Sequence, residues 1–119
     1  MNTWDNMTDK QKNVWLEEHI TGKPISTLRD TDGMIAIGVP DYVNDDTAAL
    51  VLTRELLSKE FLIGIKMYPE IQELAYLGVF TSTYEVTLYN NSGKFFAEEI
   101  TVSAAIAKAA YYAFGGINE

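Results

Sequence analysis

The most legible run of polar and apolar positions begins at Thr8. Thr8-Asp9-Lys10-Gln11 has the form of a capping box: the Thr hydroxyl accepts from a first-turn amide, and the Gln side chain reaches back to the cap amide. A helix is predicted from about Asp9 to Ile20, with Val14, Trp15, Leu16 and Ile20 as its apolar members and Met7 ahead of the cap as a hydrophobic staple. Gly22 stands where a left-handed residue ends a helix, and Pro24 forbids continuation. A second helix is predicted from an N-cap at Asn44 to about Lys59, with Asp45 and Asp46 at the positive end of its dipole. Ala48, Ala49, Leu52 and Leu56 form its buried side, and Thr47, Arg54, Glu55 and Ser58 its polar face. Val51 falls on the polar face, which marks it as exposed or as part of an interface. A third helix is predicted from about Val102 to Phe114, capped by Thr101 or Ser103 and stopped by Gly115-Gly116. It holds six alanines between Ala104 and Ala113 and a single charge, Lys108, a composition suited to close packing on a sheet.

Between the last two helices the period changes from 3.6 to 2. In the strand Phe61 to Tyr68, Phe61, Ile63, Ile65 and Met67 point one way and Leu62, Gly64, Lys66 and Tyr68 the other, with Pro69 as the stop. Thr83 to Tyr89 and Lys94 to Ile100 form a hairpin around Asn90-Asn91-Ser92-Gly93. Both hairpin strands carry large apolar groups on both faces, so the sheet is expected to be covered on both sides, at least in part. Two segments are less defined. Ile25 to Tyr42 holds the turn Asp30-Thr31-Asp32-Gly33 and then Met34 to Pro40, an edge strand or an ordered loop. Within Glu70 to Ser82, Ile71, Leu74 and Ala75 fit a short helical turn ended by Gly78. The element order predicts an α+β fold: a helix/sheet/helix sandwich with a central antiparallel sheet of three to four strands and helices on both faces.

A length of 119 residues suits one domain over 1–119. With 47% apolar and 22% charged residues the chain is not disordered as a whole. There are 17 Asp and Glu against 9 Lys and Arg, a formal net charge of −8, and the basic residues are scattered rather than striped. That disfavours binding to a nucleic-acid backbone, whose affinity comes from Lys and Arg neutralising phosphates. Cysteine is absent and histidine occurs once, which removes thiol nucleophiles, disulfides and Cys-based zinc sites and leaves His19 as the only imidazole. The start shows no basic and apolar leader and no stretch approaches membrane-spanning length, so a cytoplasmic protein is expected, without a cofactor.

Each candidate group has a plain and a functional reading. His19, beside Glu17 and Glu18 late in its helix, fits a helix-terminal histidine better than a general base without a partner. Asp30-x-Asp32-Gly33 is a fragment of a calcium loop, lacking the third ligand and the later Glu, and reads as a turn. Asp41, Asp45 and Asp46 would bind a divalent ion or, more simply, cap a helix. Lys108, Tyr111 and Tyr112 stand at i, i+3 and i+4, where a cation and aromatic rings would meet a purine base and its phosphate; alternatively Lys108 snorkels over tyrosines packed on the sheet. Tyr76 and Phe80 lie in a segment that would serve as a lid or an oligomer contact.

Pro40-Asp41-Tyr42-Val43-Asn44-Asp45-Asp46-Thr47-Ala48-Ala49 is similar to the P-x-Y-S-T-D-x-x-A-A entry to the central helix of the phage ABA-sandwich domain family. The hairpin and the stretch Ala97 to Ala110 resemble that family's A-x-x-x-T-x-x-x-A-I-x-(K/R)-A-A ending. The order of these stretches carries the resemblance. Asn44-Asp45-Asp46 replaces the family's Ser-Thr-Asp, and Ile71 to Phe80 looks like an insertion. The resemblance implies a sandwich fold and a phage or prophage origin, and no established catalytic activity. By analogy with small phage proteins, the expectation is a non-enzymatic counter-defence protein in the host cytoplasm. It would sequester a small nucleotide-derived immune messenger at a homo-oligomer interface, through Lys108, Tyr111, Tyr112, Tyr76 and Lys66. The alternative is a direct inhibitor of a host defence protein, acting through its acidic surface.

Overall fold

The computed structural model describes residues 3–22, 39–68 and 83–116. The turn at Asp30 to Gly33 and the residues Tyr76 and Phe80 lie outside them. After a short 3-10 turn at Trp4–Asn6 come α1 (Asp9–Thr21), α2 (Asp46–Ser58), β1 (Leu62–Tyr68), β2 (Thr83–Asn90), β3 (Gly93–Glu99) and α3 (Val102–Ala113). The three strands form one antiparallel sheet in the order β1-β2-β3, and α2 and α3 pack against it, in keeping with the expected α+β class.

Local chemistry accounts for the helix ends. The capping box at Thr8 is complete: the Gln11 amide donates to the Thr8 hydroxyl at 3.2 Å and the Thr8 amide to the Gln11 side chain at 2.8 Å. Gly22 closes α1 at φ 73°, in the left-handed region that a Cβ penalises. The cap of α2 is Asp45 rather than Asn44, its carboxylate accepting from the Thr47 amide at 3.0 Å. Asn44 is drawn instead to Asp9 and Asp41. Thr101 caps α3 by accepting from the Ala104 amide at 3.2 Å.

α3 is the centre of the molecule. It lies on β2 and β3, packs beside α2, and carries α1 on its C-terminal half. Ala105, Ala107, Ala109 and Ala110 are fully or nearly fully buried, so the alanines do bring the helix close to its neighbours. Val86, Leu88 and Ala97 face it from the sheet, and Leu52 and Leu56 meet it from α2. Each of these leucines contributes on the order of 1.5–3 kcal/mol by leaving water.

The sheet differs from expectation in two places. Ile65 and Met67 share the face of Ile63, yet they are 48% and 63% exposed, because α2 reaches only part of β1. On the opposite face Thr87 is buried, but Leu62, Tyr89 and Phe96 are 69%, 40% and 48% exposed. Large apolar residues on that second face therefore do not signify cover by the described helices. They form an open surface.

Candidate ligand-binding face

The expected platform on the last helix is divided by the fold. Tyr111 is 1% exposed, with its ring 5.2 Å from Trp4, 4.5 Å from Trp15 and 5.5 Å from Tyr112. It is a core residue, and a base cannot stack on it without opening the junction of α1 and α3. Lys108 is not poised for a phosphate, since its Nζ lies 3.0 Å from Glu99 Oε2. Burial pulls the Lys108 pKa down, but the hydrogen bond and charge of Glu99 outweigh it and the net shift is upward. Tyr112 is half-buried beside Lys108, in a shallow hollow of about 260 Å³ shared with Phe96, Ala97 and Glu98. Burial raises the Tyr112 pKa against the opposing pull of Lys108. Lys66 lies elsewhere. It is exposed on β1 opposite Glu85, on the far face of the sheet from Glu99. Lys108 and Lys66 therefore do not meet, and Tyr76 is outside the described residues.

The register assembles a different group on the open face. Leu62, Tyr89 and Lys94 form one cross-strand row; Gly64, Thr87 and Phe96 the next; Lys66, Glu85 and Glu98 the third. Lys94 Nζ is 5.6 Å from the Tyr89 ring centroid, within cation–π range. A Cβ added at Gly64 would sit 3.9 Å from Cε2 and the hydroxyl oxygen of Tyr89, ordinary van der Waals contact, so the Tyr89 ring lies against the strand at Gly64. Beyond Tyr89 is a hollow of about 440 Å³ lined by Lys59, Leu62, Asn90, Asn91 and Ser92, with Glu60 in the same wall.

Two local devices build that corner. Asn90 Oδ1 accepts from the amides of Ser92 and Gly93 at 2.8 and 3.0 Å, which holds the tight turn between β2 and β3. That turn sets Tyr89 against Lys94. Glu60 takes φ 70° just after α2, and the Phe61 amide returns to the Leu56 carbonyl at 3.1 Å. The chain thereby reverses into β1 and leaves Lys59 at the rim. Neither Tyr89 nor Lys94 was singled out from the sequence. The signal was present, because a two-residue turn makes the flanking residues direct partners.

The remaining candidates are structural. Asp41 Oδ1 accepts from the Asn13 side chain at 2.9 Å and from the Asn44 amide at 3.2 Å, and the Asn13 side-chain oxygen accepts from the Val43 amide at 3.2 Å. This network ties α1 to the segment that enters α2. Among the described residues no three His, Asp or Glu side chains are gathered as a metal site. His19 stacks on Trp15 at 3.6 Å, with Nδ1 2.7 Å from the Trp15 carbonyl. No helix among the described residues is long and apolar enough to cross a membrane.

Fold and face together describe a small α+β sandwich with one wall of aromatic and aliphatic side chains left open between lysines. Comparison with protein-family models, curated proteins and solved structures finds no match.

Proposed function

We propose that the protein is a non-enzymatic binding module that holds a small, anionic, aromatic ligand of nucleotide type on its open sheet face. The observation that carries this reading is the Leu62–Tyr89–Lys94 row beside the 440 Å³ hollow. Tyr89 offers an exposed ring for a base, while Lys94 and Lys59 offer cations to a phosphate. In a chain of net charge −8, such a local pair of lysines is what an anionic ligand requires. Joined to the resemblance to phage sandwich proteins, the role proposed is sequestration of a nucleotide-derived immune messenger in the host cytoplasm, as a counter to host defence.

The test is retention. The purified protein is incubated with nucleoside phosphates and cyclic dinucleotides, separated from free ligand, and heated to release what it holds. One ligand should be retained and released chemically unchanged. Tyr89→Ala and Lys94→Ala should each weaken binding about 10- to 100-fold, the range that loss of one stacked base or one charged contact commands. Retention of none, or release of an altered product, defeats the reading.

One observation favours a second reading, direct inhibition of a host defence protein. Glu85 and Glu98 stand opposite each other on the same open face, giving it an acidic end that would meet a basic surface. A stoichiometric protein recovered with the chain from a defence-positive host, in place of a small ligand, would favour it.

A further inference from the structure

We propose that the free edge of β1 pairs with the β1 of a second copy of this chain, antiparallel and centred on Ile65, to make a continuous six-stranded sheet. Among the described residues β1 has a partner on one side only, β2. Native sheets blunt an open edge with proline, a bulge, short length, charged side chains or a covering element. Among the described residues β1 has one of these, the single charge of Lys66, which lies on the open face; it otherwise runs seven residues in unbroken register from Leu62 to Tyr68, without proline. Leu62, Ile65 and Met67, three of the nine exposed large hydrophobic residues among those described, sit on this strand.

Self-complementarity selects a second copy as the occupant. With a two-fold axis at Ile65, Ile65 meets its own counterpart and Ile63 meets Met67, so the helix-side face of the junction is apolar throughout. On the other face Lys66 of the second copy meets Gly64. A register centred on Lys66 would oppose two lysines, which is unfavourable. The strand carries no acid, so two chains of charge −8 would meet along it without opposing carboxylates across the seam.

The pairing has a consequence for the open face. Lys66 of the second copy would cross Gly64 beside the Tyr89 ring, which already lies over that glycine. Each face would then receive a lysine from its neighbour, and Lys66 would join the site from the other protomer. This consequence rests on the function proposed above; the pairing itself does not.

Because the chain lacks cysteine, single substitutions read the register directly. Sedimentation should give a doubled mass for the native chain and a single mass for Ile65→Lys, with the far-UV spectrum unchanged. Under mild oxidation Ile65→Cys should cross-link, since opposed antiparallel residues have Cα atoms ~4.5–5.5 Å apart. Met67→Cys should not, because its counterpart would be displaced four residues, about 13 Å, along the strand. The doubly substituted Ile63→Cys/Met67→Cys chain should cross-link again. A native monomer, an Ile65→Cys chain that does not cross-link, or a Met67→Cys chain that does, overturns the pairing. A cross-linked dimer that retains no nucleotide leaves the pairing intact and removes the function.

Discussion

The Ser103 hydroxyl donates to the Val43 carbonyl at 2.9 Å, joining two buried residues that are 60 positions apart in sequence. The bond fastens the first turn of α3 to the segment that leads into α2. Ser103→Ala takes the donor from a buried carbonyl, and leaving such a group without its partner costs about 1–3 kcal/mol. The urea midpoint should fall accordingly with the m-value unchanged.

The Tyr42 hydroxyl donates to Glu17 Oε1 at 2.6 Å. Burial first, then the hydrogen bond to Glu17 and the charges of Glu17 and Glu55, push the Tyr42 pKa well above its ordinary 10.0. Between those values the folded chain keeps a proton that the unfolded chain has lost. Stability is therefore level below about pH 10 and falls above it, by at most about 1.4 kcal/mol per pH unit for this group. Tyr112 is shifted the same way. Tyr42→Phe should cost about 1 kcal/mol at neutral pH and flatten part of the alkaline decline, as read by urea unfolding across the alkaline range.

Gly116 sits against the face of the Tyr111 ring, and its amide donates to the Tyr111 carbonyl at 2.8 Å. A Cβ at 116 would collide with the ring of a residue packed between Trp4 and Trp15. Gly116→Ala should destabilise by about 1–3 kcal/mol, the range for overpacking a well-filled core. A thermal melt would show it, together with a change in near-UV aromatic dichroism.

Lys108→Met keeps the apolar stem and removes the charge from the Glu99 pair. Both side chains are partly open to water, at 19% and 28%, so the loss should be about 1 kcal/mol or less. Affinity for a nucleotide held on the Tyr89 face should be unchanged. A 10-fold loss of binding would return the site to the last helix.

Local chemistry was readable to within about a residue. Thr8 and Gln11, Gly22, Thr101 and the buried side of α2 stand as their spacing predicted, because capping and periodicity act between near neighbours. The cap of α2 moved from Asn44 to Asp45 because the Asn44 side chain turns back to the nearby Asp41 and across to Asp9 on α1. The expected platform on the last helix is divided for a related reason. Lys108, Tyr111 and Tyr112 share helical spacing, but spacing does not reveal which ring a neighbouring helix will cover or which cation a strand will neutralise.

The sequence by itself determined the order of helices and strands, their caps, the tight hairpin turn and the absence of thiol chemistry, all properties of residue type and short-range spacing. Only the tertiary structure decided that Trp4 and Trp15 take Tyr111 into the core and that Glu99 takes Lys108. It also decided that the second sheet face is open at Leu62, Tyr89 and Phe96, since exposure is set by which elements pack over a face, and alternation along a strand says only that two faces exist.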